Sequence, residues 1–296
     1  MKVRVECPTG HLEHVLEEFG VKSVSREWAK YLIPDPTRAV ELQKYPRLEV
    51  IATPSTGTNH IDLKWCEKRG IKVLSLLDDR EGLAEIRASS EFAFYMILSG
   101  LRLGGFRQWK KYNRNAEVMR GRELYGKHVG ILGLGRIGTN VAKWVQAFGA
   151  TWQSYDYGSS EESLLEIFDK CDIVLVSMSL NEKSKGLITD KHLSRMKDGA
   201  ILVNVSRAEI IEEAALIKWA ASQKGLYVTD VLHREVLGNV ASPLLEMTNV
   251  IITPHLAGEA AESTEKALRI ALQLLRAEIE RDNGKQQHKR DTVEKA

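Results

Sequence analysis

Residues 127–138 read KHVGILGLGRIG. The apolar run Lys127–Leu134 has the look of a buried strand. It enters a glycine-rich turn and then an amphipathic helix, Thr139–Phe148. Within the turn Gly133 permits the tight bend, Gly135 lets backbone approach a pyrophosphate, and Gly138 lets helix and strand pack closely. The helix end, which Arg136 and Ile137 lead into, directs N–H groups at the phosphates. An acid, Asp156, closes the next strand-like run, TWQSYD. A glycine-rich turn with no ligand is the bland alternative. Strand, helix and acid occurring together argue against it, so the stretch is a dinucleotide fingerprint. A carboxylate at Asp156 accepts hydrogen bonds from a ribose 2′-OH and repels a 2′-phosphate. Tyr157, Gly158, Ser159, Ser160, Glu161 and Glu162 follow it, with no base among them. NAD is therefore expected over NADP.

Working outward, further strand-like runs follow at 172–178 (DIVLVSM), 200–206 (AILVNVS), 225–231 (GLYVTDV) and 249–255 (NVIITPH). Most are continuously apolar rather than alternating, the pattern of parallel strands covered on both faces. Helices fit at 160–169, 190–197 and 209–223. The alternation predicts an α/β fold, a doubly wound parallel sheet of Rossmann type. The first ~85 residues read as a second, smaller α/β unit. Its strands are expected at Val3–Cys7, Val50–Thr53 and Lys72–Leu76, and its helices at Thr37–Lys44 and Ile61–Arg69. A long helix is expected at Leu83–Leu103, and another at about Ala261–Asp282 that returns to the small unit. Two domains are thus expected: a substrate domain, 1–85 completed by 261–296, and an NAD-binding domain, 86–260. The basic, aromatic stretch within Gly104–Gly126 reads as a solvated or subunit-contacting surface. The tail after Asn283 is poor in apolar residues and is expected to fray.

The bulk numbers narrow the class. The chain has 296 residues, 43% hydrophobic, with interspersed charges summing to +2. Nothing in that balance points to nucleic acid. Cys7, Cys66 and Cys171 are scattered and odd in number, without metal or redox spacing, so no metal site and no disulfide framework is expected. No signal peptide and no apolar run of membrane-spanning length is evident. A cytoplasmic enzyme fits.

In an open α/β sheet, ligands bind at the carboxyl ends of strands. Arg207, Asp230 with Glu235, and His255 stand at or beyond three such ends. An arginine can hold a substrate carboxylate bidentately. A histidine can take a hydroxyl proton near neutral pH. A carboxylate on its other nitrogen orients it. Singly, each has an ordinary explanation as a loop arginine, an acid near a helix start or a structural histidine; the three together beside a nicotinamide form a coherent set.

At these residues the chain resembles the D-isomer-specific 2-hydroxyacid dehydrogenase family. The matching pieces are Gly126-Lys127 leading to GLGRIG, Tyr155-Asp156, Val203-Asn204-Val205-Ser206-Arg207, Asp230-Val231 and Thr253-Pro254-His255. Asn59-His60-Ile61-Asp62, after Ser55-Thr56-Gly57, resembles the family's substrate-binding loop. The resemblance runs from about Leu48 to His255. It implies a flavodoxin-like small domain, Arg207 as substrate anchor, His255 as acid/base and Glu235 as its partner. It implies Asp230 and the Val205 carbonyl as contacts to the nicotinamide carboxamide, a small 2-hydroxy or 2-oxo acid as substrate, and a homodimer. The chain departs from the family's pattern in having Ala208 rather than glycine after Arg207, and Val236 rather than proline after Glu235. It also has no proline in the turn Ser179–Ser184. Two other readings of the fold are an NAD(H)-responsive corepressor-like binding protein and a dehydrogenase of another small anion, formate- or phosphite-like.

Overall fold

The computed structural model describes residues 1–8, 10–102, 121–235 and 241–293. Most of the basic, aromatic stretch expected within 104–126 lies outside these residues, as does Val236. The chain divides into two compact units. One is Met1–Ile86 with the chain from Ala260 onward; the other is Arg87–Glu235 with the stretch ending at Glu259.

The larger unit is built on six parallel strands. They are β6 (His128–Leu132), β7 (Thr151–Tyr155), β8 (Ile173–Val176), β9 (Ile201–Asn204), β10 (Leu226–Thr229) and β11 (Val250–Ile252). Their order in the sheet is β11-β10-β9-β8-β6-β7. Every residue of β8, β9 and β10 is buried. Two apolar clusters explain this. Leu132, Val174, Val176 and Leu202 pack on one face, and Ile131, Ile173, Leu175 and Val203 on the other. Both faces being covered is why these strands read as unbroken apolar runs.

The helices carry local signals. Helix α5 (Arg136–Ala147) buries Gly138, Val141, Ala142 and Val145, one stripe at helical spacing. Helix α6 (Glu161–Lys170) starts at Ser160, whose side chain accepts the Ser163 N–H, with two glutamates in its first turn and Lys170 in its last. Because β7 and β8 flank β6, the strand order reverses there, and the glycine turn stands at the switch point where such sheets bind ligands.

The smaller unit holds five parallel strands in the order β2-β1-β3-β4-β5, the flavodoxin-like arrangement. They are β1 (Lys2–Val5), β2 (Lys22–Ser23), β3 (Tyr31–Ile33), β4 (Val50–Ala52) and β5 (Lys72–Leu74). The last helix, Ala261–Val293, places Leu268, Ala271, Leu272 and Leu275 in one cluster with Val3, Ile33, Val50 and Leu74.

Three expectations are corrected. Thr37–Lys44 is not a helix; only a 3-10 turn forms, at Leu42–Lys44. Prolines at 34, 36 and 46 frame the segment, and Asp35 captures the Thr37 N–H and hydroxyl at 2.9 and 2.6 Å in a local turn. The expected helix 83–103 is two helices, Arg80–Ala84 and Ala88–Leu101. The backbone of the final helix continues through Val293, past Asp282.

Candidate active site

The glycine turn has the shape its sequence requires. Gly133 sits at φ +94°, and a Cβ there would lie 2.5 Å from the Met178 Cα. A Cβ at Gly138 would meet the Gly133 carbonyl oxygen at 2.2 Å. A Cβ at Gly135 would meet nothing within 4 Å. Two glycines are thus demanded by backbone packing, while the third faces open space at the start of α5. The first turn of that helix carries no acid. This is a cradle that fits a pyrophosphate. Burial lowers the pKa of the Arg136 guanidinium. Asp156 lies beside the turn: its carboxylate accepts the Leu134 N–H and the Tyr157 N–H, both at 2.8 Å.

Arg207 follows β9 in extended backbone, φ −139°. Asn204 shapes this exit. Its amide oxygen accepts the Ser206 N–H (3.0 Å) and its amide nitrogen donates to the Arg207 carbonyl (3.1 Å). Arg207 Nη1 donates to the Ser206 carbonyl at 2.7 Å. Burial pulls the guanidinium below its usual pKa, opposed by the negative charges of Glu235, Glu209 and Asp230. The structure therefore gathers Arg207 with both carboxylates that follow β10. Val205 is buried in the same exit.

His255 and Glu235 meet directly, with Nδ1 2.6 Å from Oε1. Glu235 Oε2 accepts the Leu232 N–H at 3.0 Å, which fixes the carboxylate. The His255 side chain is 43% exposed, so the ring is held on one side and open on the other. Both His255 and Arg234, the residue before Glu235, have positive φ, 55° and 63°. Non-glycine residues rarely adopt this conformation, and it marks positions where the surroundings dictate the backbone.

Asp230 has an occupation that the sequence does not reveal. It is 1% exposed. Oδ1 accepts the Thr253 hydroxyl (2.6 Å) and the Leu256 N–H (2.7 Å), and Oδ2 accepts the Ala257 N–H (2.8 Å). Its backbone carbonyl accepts the His255 N–H at 3.0 Å. Asp230 thus clamps the segment that carries the histidine. Burial raises its carboxyl pKa, against the bonds from Thr253, Ala257 and Leu256 and the nearby His255. Thr253 and Asn204 are further site-building residues. Their only signal in the sequence is a polar residue inside an apolar run.

Ser55, Thr56 and Gly57 belong to the smaller unit. There Ser55 Oγ donates to the Gly57 carbonyl (2.6 Å) and lies 3.0 Å from Thr53 Oγ1. His60 Nε2 is 3.1 Å from the same threonine oxygen.

The chain is similar to known proteins over most of its length. A family model described as "D-isomer specific 2-hydroxyacid dehydrogenase, NAD binding domain" matches residues 96–257, and the catalytic-domain model of the same family matches 33–96. Glyoxylate reductase of Korarchaeum cryptofilum is 30% identical over 258 residues, 79% of this chain and 74% of that protein. D-3-phosphoglycerate dehydrogenase of Mycobacterium bovis is 29% identical over 75% of this chain but only 43% of its own length. The chain therefore matches less than half of that relative. The crystal structure of phosphoglycerate oxidoreductase from Vibrio cholerae superposes with a TM-score of 0.76 at 25% identity, covering 95% of this chain and 99% of that one. The chain belongs to the D-isomer specific 2-hydroxyacid dehydrogenase family, and it is an NAD-dependent enzyme.

Proposed function

We propose that this protein interconverts a small D-2-hydroxy acid and its 2-oxo acid, with His255 as acid/base, Glu235 as its orienting partner and Arg207 as the carboxylate anchor. The 2.6 Å contact between His255 Nδ1 and Glu235 Oε1 is the observation that supports this reading. A carboxylate only accepts, so Nδ1 carries the hydrogen and Nε2 is the nitrogen left to exchange a proton with substrate. In the oxidation direction Nε2 takes the C2 hydroxyl proton while the C2–H bond releases hydride. Glu235 then stabilises the imidazolium. In reduction the same nitrogen returns the proton to the carbonyl oxygen. Arg207 remains cationic despite its burial and offers a planar fork to the substrate carboxylate. It also polarises the adjacent carbonyl.

NAD, when bound, supplies the hydride acceptor, and its reduced form the donor. Gly133, Gly135, Arg136, Ile137 and Gly138 are the residues to hold the pyrophosphate, and Asp156 the ribose diol. For Asp230 and the Val205 carbonyl, contacts to the carboxamide rest on the family resemblance. So do the substrate-binding role of Ser55, Thr56 and Gly57 and a homodimer, whereas a cytoplasmic location rests on the sequence reading alone. No helix of the described residues is long and apolar enough to cross a membrane.

The decisive experiment follows NADH absorbance with a panel of 2-oxo acids that includes glyoxylate, hydroxypyruvate and pyruvate. Turnover of at least one, lost in His255→Asn, is expected. Tight NADH binding without turnover of any would instead fit an NAD(H)-responding binding protein.

A further inference from the structure

Tyr157 is the residue after the ribose acid, yet its side chain does not stay with its own loop. Its hydroxyl donates to the Ser179 carbonyl at 3.0 Å and accepts from Asn181 Nδ2. Ser179 and Asn181 lie beyond β8, whereas Tyr157 lies beyond β7, on the other side of β6. The link therefore spans the carboxyl end of β6, where the glycine turn stands. Asn181 is itself fixed, because its Oδ1 accepts the Lys183 and Ser184 N–H groups at 2.9 and 3.2 Å. Ser184 Oγ donates to the same Ser179 carbonyl at 2.7 Å. On the near side, Ser177 Oγ donates to the Gly133 carbonyl (2.9 Å), and Leu134 N–H donates to Asp156 (2.8 Å). The hydrogen bonds form a closed circuit: glycine turn, Asp156, Tyr157, the loop after β8, and back to the turn. That loop is the one without a proline where the family favours one.

We propose that Tyr157, clasped by Ser179 and Asn181, is a positioning residue for the adenosine end of NAD. The clasp gives the loop after β8 the stiffness that a proline turn would otherwise supply, so both sides of the adenosine site are ordered before the cofactor arrives. The proposal rests on the reading that Asp156 faces the adenosine ribose.

The test is isothermal titration of AMP, NADH and reduced nicotinamide mononucleotide into the full chain, its Tyr157→Phe variant and its Asp156→Ala variant. Phenylalanine keeps the ring and removes both bonds. The net worth of about one hydrogen bond predicts Kd values for AMP and NADH raised roughly 3- to 10-fold in Tyr157→Phe. The mononucleotide, which has no adenosine, should bind Tyr157→Phe as it binds the unmutated protein, and this also shows that the variant is folded. Unchanged AMP affinity in Tyr157→Phe, with weakened AMP binding in Asp156→Ala, overturns the clasp and leaves the ribose reading standing. Unchanged AMP affinity in both variants overturns both. Equal weakening of AMP and the mononucleotide reveals a merely structural role and also overturns the clasp.

Discussion

Replacing Asp230 with asparagine separates two roles for this acid. The carboxylate accepts three hydrogen bonds, from Thr253 Oγ1, Leu256 N and Ala257 N. An asparagine can place its oxygen on the Thr253–Leu256 side, but its NH₂ then faces the Ala257 N–H, donor against donor. One orphaned buried donor costs about 1–3 kcal/mol. The raised carboxyl pKa argues for the low end of that range near neutral pH, because burial outweighs the bonds the charge receives, and asparagine is relieved of that cost. We expect a loss of about 1 kcal/mol, a fall of roughly 2–4 °C in Tm for a unit of this size. Function should suffer more. Leu256 and Ala257 directly follow His255, and a displacement on the order of 1 Å at a catalytic group can cost about 100-fold. The expected result is kcat/KM for 2-oxo acid reduction lowered about 10- to 100-fold through kcat, with Thr253→Val showing a smaller loss of the same kind. A raised KM for NADH with unchanged kcat would refute the clamp and return Asp230 to a carboxamide contact alone.

The same residue predicts a pH dependence. Its folded pKa lies above the ordinary aspartate value. The fold then binds more protons than the unfolded chain, so this group's contribution is present below the unfolded pKa and lost as pH rises through the folded one. The stability deficit of Asp230→Asn should therefore be larger at acid pH and narrow towards neutrality. Urea midpoints measured across that window check the sign; a deficit that widens with rising pH contradicts it.

Other substitutions test the remaining parts of the site. Arg207→Ala should lower kcat/KM by about 100- to 1000-fold, the loss of a charged, two-pronged hydrogen bond, and Arg207→Lys should recover little of it in steady-state assays. Asp156→Ala should narrow the preference for NAD(H) over NADP(H), read as the ratio of two Kd values; equal affinities in the unmutated protein would sink the assignment. Gly138→Ala puts a Cβ 2.2 Å from the Gly133 carbonyl, so α5 must shift. A cost of about 1–3 kcal/mol in urea unfolding, together with weaker NADH binding, is expected.

The parts legible in the sequence were those specified by near neighbours. The stretch 127–156 holds a strand, a glycine turn, a helix and an acid whose meanings follow from adjacent residues, and the structure places Asp156 against Leu134 of that turn. The long apolar runs predicted the parallel sheet because all of β8, β9 and β10 is buried. The small unit was harder to read. Its strand Tyr31–Ile33 is three residues long and runs into Pro34, too short for either period to show. A helix was expected at Thr37–Lys44, but the Asp35 turn and the flanking prolines prevailed. In the site, the strand-end rule pointed to Arg207, Asp230 with Glu235, and His255. It did not find the clamp on the histidine, because that depends on register: Thr229 pairs with Ile252, which sets Asp230 beside Thr253 and the residues after His255.

That register explains how two carboxylates five residues apart do different work. Asp230 is the residue after β10 and is buried; its carboxylate accepts two N–H groups of the segment after β11 and the Thr253 hydroxyl. Glu235 lies past a turn that requires a left-handed residue at Arg234, and this turn brings its Oε1 to the His255 ring. His255 is left-handed as well. Each such residue costs of order 1–3 kcal/mol, so the histidine would not keep this backbone alone. The bonds that offset the strain are those Asp230 makes on either side of it, at Thr253 and at Leu256 and Ala257. One acid therefore fixes where the histidine is, and the other fixes which nitrogen carries its hydrogen. Exchanging Glu235 for glutamine should alter the chemistry of a correctly placed ring, whereas exchanging Asp230 should misplace a ring whose chemistry is intact.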